Sequence, residues 1–143
     1  MKIHELSVFL ENRPGHLSVP CKALASAGIN IVALSLSDTH RFGVLRLIVR
    51  DWRRARDVLT SAGCVVKVVE VVAVEVPDRP GGLEGVLEKV EAAGINVEYM
   101  YPLSVRRGGR AALLLRFDEP DRAVSLLRQA GADLIQSDGL FGD

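Results

Sequence analysis

The chain writes one short pattern twice. Arg13-Pro14-Gly15-His16-Leu17 returns 66 positions later as Arg79-Pro80-Gly81-Gly82-Leu83, and Ala27-Gly28-Ile29-Asn30 returns at the same offset as Ala93-Gly94-Ile95-Asn96. A common offset across two separated motifs marks an internal duplication. Farther on, Arg54-Ala55 finds Arg122-Ala123 and Ala62-Gly63 finds Ala130-Gly131, now 68 positions apart. The second copy has therefore gained two residues between Asn96 and Asp118. The turn Arg106-Arg107-Gly108-Gly109 is where they are expected, since hairpin tips tolerate insertions.

Each copy reads as β-α-β-β-α-β. In the first, Ile3–Leu10 is a strand, and the Pro-Gly pair turns into a helix over 15–27 with Leu17, Cys21, Leu24 and Ala25 as its apolar stripe. Pro20 fits only near a helix start, so this helix is expected to begin later than its counterpart. Residues 29–37 and 42–50 form a hairpin about the turn Asp38-Thr39-His40-Arg41. Asp51 caps a helix over 52–62 that Gly63 closes, and 64–69 is the last strand. The second copy repeats this with strands at 71–76, 95–105, 110–117 and 133–136 and helices at 83–93 and 120–130. The predicted class is α+β: two tandem ferredoxin-like (βαββαβ) units, each an antiparallel sheet with both helices on one face. The expected divisions are 1–69, 70–136 and a tail, 137–143, ending as a loop with Leu140 or Phe141 pinned down.

No linker parts the copies. Cys64 through Val76 holds no Gly, Pro, Asn or Asp. Extended, that run would reach roughly 43 Å, so a bend or bulge near Glu70 is expected. Units this short bury a modest share of their surface alone, so each should lean on the other or on a second chain.

Composition narrows the function classes. Basic and acidic residues balance at 18 each, which removes the electrostatic argument for nucleic acid or an anionic membrane as partner. Cys21 and Cys64 have neither a metal spacing nor a disulfide framework, and buried free thiols in a reducing compartment are expected. The polar start Met1-Lys2-Ile3-His4-Glu5 is unlike a signal peptide, and no apolar run reaches a membrane span; a cytoplasmic protein is expected. His4, His16 and His40 fall on a strand start, a loop and a turn with no ligand spacing. Glu84, Glu88 and Glu91 share a helix face and read as solvated, as do Arg53, Arg54 and Arg56. With no nucleophile motif, acid-base pair or metal set, neither catalysis nor a cofactor is expected.

Binding has better support. Each Pro-Gly turn hands a strand to a helix, and the backbone N–H groups there sit at the positive end of the helix dipole. Such a terminus accepts a carboxylate or phosphate, and Gly15 and Gly81 let a ligand approach the backbone. Asn30 and Asn96 open the following strands, where an amide offers both donor and acceptor to an α-carboxylate or α-ammonium. Both motifs also serve as ordinary turns, and a duplicated scaffold would repeat them too.

At these residues the sequence resembles the ACT domain family, whose pattern is a strand, Asn/Asp-Arg-Pro-Gly-x-Leu, a helix and Gly-Ile-Asn. Here it stands as Asn12–Leu17 with Gly28-Ile29-Asn30, and as Asp78–Leu83 with Gly94-Ile95-Asn96. More narrowly, the chain looks like the stand-alone tandem ACT proteins of bacteria. The resemblance implies a free amino acid held between ACT units and a regulatory role in amino-acid metabolism. Carried over by position, the ligand-binding residues are Asn12, Arg13, Gly15, His16, Leu17, Asn30 and Ile31. In the second copy they are Asp78, Arg79, Gly81, Gly82, Leu83, Asn96 and Val97. Tyr99 and Tyr101 replace Ala33 and Ser35 and read either as packing or as one pocket wall. The expected partners are a free amino acid, a second copy of the chain in a homodimer, and a metabolic enzyme. The alternative is a ligand-independent module that regulates a separate enzyme by contact.

Overall fold

The computed structural model describes residues 2–141, with the backbone alone at 105–107. The chain divides into two compact units, His4–Val69 and Met1–Ile3 with Glu70–Asp143. Each is an antiparallel sheet carrying a pair of helices, to which the second unit adds a short C-terminal one, so the chain is a pair of ferredoxin-like α+β repeats.

The first unit contains β1 (Lys2–Glu11), α1 (Ser18–Ser26), β2 (Ala33–Asp38), β3 (Phe42–Ile48), α2 (Trp52–Ser61) and the start of β4 (Val65–Pro77). Its strand order is β2-β3-β1-β4. Register is fixed by pairs such as Val8↔Leu45 and Leu6↔Leu47, which put every second residue on one face. Those residues form the core with Leu24 of α1 and Ala55 and Leu59 of α2. Asp51 caps α2 as expected, accepting from the Arg54 N–H at 3.2 Å.

The second unit takes the rest of β4, then α3 (Gly82–Ala92), β5 (Val97–Arg107), β6 (Arg110–Phe117), α4 (Pro120–Gln129), β7 (Asp133–Ile135) and α5 (Ser137–Phe141). Its order, β7-β4-β6-β5, repeats that of the first unit in reverse listing. Val72, Val74 and Val76 meet Leu115 and Phe117 under Val86 and Val90 of α3 and Ala123 and Leu127 of α4. The copies also share a helix cap. Arg54 donates to the Ala27 carbonyl at 2.5 Å, and its repeat-mate Arg122 donates to the Ala93 carbonyl at 2.7 Å. Each guanidinium thereby satisfies a carbonyl at the C-terminal, negative end of its unit's first helix.

Several expectations need correction. The strand expected from Ile29 begins at Ala33, because the Ile29 N–H returns to the Leu24 carbonyl at 2.9 Å and closes the helix instead. Ile95 does the same with Val90, so β5 starts at Val97. The apolar stripe of α1 runs through Pro20 and Leu24, whereas Cys21 and Ala25 are exposed. Cys21 is thus not a buried thiol; Cys64 is half-buried, and both are free. The strands expected at 64–69 and 71–76 are one strand of 13 residues, β4. The tail forms α5 rather than a loop, with Leu140 buried.

The two extra residues are not at the hairpin tip. Tyr99↔Arg116 through Pro102↔Leu113 match Ala33↔Ile48 through Leu36↔Leu45 of the first copy. The next register pair is Arg106↔Ala111, so three residues, 103–105, stand where the first copy has one. The insertion is therefore a β-bulge inside β5. Both hairpins then close through tight tips, at His40-Arg41 (His40 φ 77°) and at Gly108-Gly109 (φ 50° and 75°).

Candidate functional site

The two Arg-Pro-Gly loops begin alike. Gly15 and Gly81 both take φ 86°, a left-handed conformation that disfavours a Cβ. The next residue separates them. Gly82 opens α3, and a Cβ built on it would fall 2.0 Å from the Pro77 carbonyl oxygen. Only glycine lets the helix start this close to the end of β4. In the first copy His16 occupies the position, its ring Nδ1 lies 2.5 Å from the Arg13 carbonyl, and α1 begins two residues later at Ser18. That late start leaves Pro20 in the first turn, where a missing N–H is tolerated, as expected.

The second-copy loop opens onto a cavity of about 320 Å³. Arg79, Pro80, Gly81 and Gly82 line it, as do Gly85, Val86 and Lys89 of α3. Glu75 to Pro77 of β4, Arg110 of β6, Gly131, Ala132, and Asp133 at the start of β7 complete the lining. The Arg79 and Lys89 side chains have no hydrogen-bond or ion-pair partner among the described residues. Arg110 is held: its Nε lies 3.4 Å from Glu75 Oε2, its Nη2 donates to the Glu75 carbonyl at 3.3 Å, and it pairs with Asp133. Two carboxylates thus share one guanidinium, leaving that cluster one negative charge in excess.

Of the sequence-predicted residues, Arg79, Gly81 and Gly82 line this cavity; Asp78, Leu83, Asn96 and Val97 do not. Leu83 faces a different hollow on α3, beside Glu84, Leu87 and Glu88. Asn96 does not open a strand. Its N–H donates to Asp118 Oδ1 at 3.0 Å and its carbonyl accepts from the Asp118 N–H at 3.1 Å, which leaves its side chain exposed. Val97 packs against the second core. In the first copy, Asn12 is tied to the hairpin tip through His40 and Arg41 carbonyls, Arg13 and Gly15 are exposed, and Leu17 and Ile31 lean on the core. Asn30 is exposed, three positions before β2. Tyr101 is buried and Tyr99 half-buried.

Sequence reading missed Lys89, Glu75, Arg110 and Asp133. Lys89 was available: Gly82, Gly85 and Lys89 fall three and four apart on one helix face. The other three meet only because β6 and β7 flank β4, which is a property of the assembled sheet.

Lys2 and Cys64, both away from this cavity, have displaced pKa values. The Lys2 ammonium, 2.7 Å from Asp121 and 2.5 Å from Glu70, is held above the ordinary lysine value by those carboxylates. Burial pushes the Cys64 thiol up. Among the described residues no group of three or more His, Cys, Asp or Glu could hold a metal, and no helix is long and apolar enough to cross a membrane.

The family model of the ACT domain pair matches residues 1–141, so the chain belongs to the ACT domain family. Among solved structures it is similar to a protein from Bacteroides thetaiotaomicron, at 32% identity and a TM-score of 0.91 over 100% of this chain and 98% of that one. The regulatory subunit of aspartate kinase from Thermus thermophilus shares the fold at 16% identity and a TM-score of 0.61, over 89% and 91% of the two chains. That from Thermus flavus does so at 18% and 0.57, over 92% and 94%. A search of curated proteins finds no match.

Proposed function

We propose that this protein is a non-catalytic sensor of a free amino acid that regulates amino-acid metabolism, with ACT domains at residues 1–69 and 70–136. The observation that carries the reading is the charge layout around the second Arg-Pro-Gly loop. Arg79, Lys89 and the N-terminus of α3 bring positive potential to its lining. Glu75 and Asp133, sharing Arg110, bring a net negative charge to the same lining. A carboxylate suits the first and an ammonium the second, and a free amino acid carries both. About 320 Å³ lies at the small end of ligand-pocket sizes, as a single amino acid requires. The aspartate kinase regulatory subunits share the fold, and their regulatory role is consistent with this reading.

A ligand-bound state would regulate a partner enzyme only through a difference in affinity between two arrangements of the protein. We place the protein in the cytoplasm as a homodimer. Edge strand β2, with Leu34 and Leu36 exposed, is the surface favoured for self-association.

Thermal unfolding against each of the twenty amino acids tests the reading. A ligand at a hundred times its dissociation constant adds about 2.7 kcal/mol, a shift of several degrees for a chain of this size. The shift should be confined to one amino acid or a few related ones and be lost in Arg79→Ala and Lys89→Ala. Twenty flat curves would reject the sensor in favour of a ligand-independent contact regulator.

A further inference from the structure

The second unit holds another cavity, of about 710 Å³, beside β7 and α5. Its apolar lining comes from Ala132, Leu134, Ile135 and Leu140. Arg128, in the last turn of α4, reaches the same space, and its side chain has no hydrogen-bond or ion-pair partner among the described residues. Gln136 lines it as well, with a side-chain amide equally without a partner there. Arg110 also borders the cavity, but Glu75 and Asp133 already engage it. The one cation in this lining still able to take an anion is therefore Arg128.

We propose that this cavity is a second ligand site, taking a small organic carboxylate with a branched apolar body. The carboxylate would accept the paired N–H donors of the Arg128 guanidinium, a geometry that favours carboxylates. The body would lie on Leu134 and Ile135, which are partly exposed, against the buried Leu140, removing apolar surface from water. Gln136 can donate to a second ligand oxygen. Because Glu75, Arg110, Ala132 and Asp133 also line the loop cavity, the two sites share a wall. A ligand that shifts Arg110 in one changes the charge facing the other, and any such coupling must be reciprocal.

The test uses the full chain, 4-methylpentanoate as probe and its neutral analogue 4-methylpentanamide as control, read by methyl NMR. Saturable shifts at the methyl groups of Leu134, Ile135 and Leu140 are expected with the acid. The amide, and the acid with Arg128→Gln, should bind at least about tenfold more weakly, the scale of one charge-assisted interaction. Arg128→Lys should restore part of the affinity. Arg128 is exposed, so its variants should fold, and an unchanged spectrum elsewhere checks this. Shifts that grow linearly without saturating, or acid affinity unaltered by Arg128→Gln, would overturn the proposal. Arg79→Ala should leave this binding in place, so failure of the loop site and failure of this one are separable.

Discussion

Gly82 lies so close to the end of β4 that a Cβ on it would stand 2.0 Å from the Pro77 carbonyl oxygen. The contact sets where α3 begins, and so where its positive end meets the loop cavity. Gly82→Ala should cost about 1 to 3 kcal/mol, the range for forcing atoms into occupied space. Gly85, three residues on in the same helix, has nothing within 4 Å of its would-be Cβ. Gly85→Ala should stabilise by about 0.5 to 1 kcal/mol. Chemical denaturation of the two variants should give midpoints on opposite sides of the parent. Matching signs would mean that the Pro77 contact does not constrain the helix start.

Arg54 and Arg122 cap equivalent helices, so their loss should hurt equivalently. Each Ala variant should lower stability by about 1 kcal/mol, the net value of a hydrogen bond with a charged donor on a solvated surface. Hydrogen exchange should quicken locally, at the ends of α1 in one and α3 in the other. Protection unchanged at those ends would remove the capping role.

Lys2 gives a pH dependence with a definite sign. Its folded pKa is raised, by Asp121 first and then Glu70, so its contribution is fully present below the ordinary lysine value. That contribution fades as pH climbs through the raised value. Lys2→Met should be less stable than the parent at neutral pH, with the two denaturation midpoints converging at strongly alkaline pH. A gap that holds constant with pH would mean the ammonium contributes nothing beyond packing.

The two thiols should be chemically distinct. Cys21 is exposed, whereas Cys64 is half-buried and its pKa is raised by burial, which lowers its thiolate fraction at any given pH. Alkylation of the native protein at mildly alkaline pH, followed by mass spectrometry, should modify Cys21 about tenfold faster or more. In denaturant the rates should converge.

Local chemistry was the legible part of this chain. The Asp51 cap, the delayed start of α1 ahead of Pro20 and the bounds of β6 all follow from neighbouring residues and hold in the structure. The duplication and the ACT motifs led to the fold and the family, and both stand. What escaped was set by tertiary pairing. Ile29 and Ile31 have β-branched side chains that read as strand, yet both lean on the first core from irregular backbone, since a helix-closing hydrogen bond takes the Ile29 N–H. Half of the loop cavity was invisible because Glu75, Arg110 and Asp133 lie far apart in the chain and meet only through strand register.

The bulge in β5 carries a lesson in parity. Successive side chains of a strand point to opposite faces, so an insertion of two residues restores the original sidedness beyond it. The backbone ladder therefore resumes at Arg106↔Ala111, the counterpart of Asp38↔Gly43 in the first copy. Excising any two of residues 103–105 should bring the β5–β6 register into line with that of β2–β3 while keeping the alternation of the strand. Excising one would reverse the alternation of every position beyond it. Even-numbered edits are thus the ones through which the two halves of a duplicated sheet can drift apart in shape while each still folds.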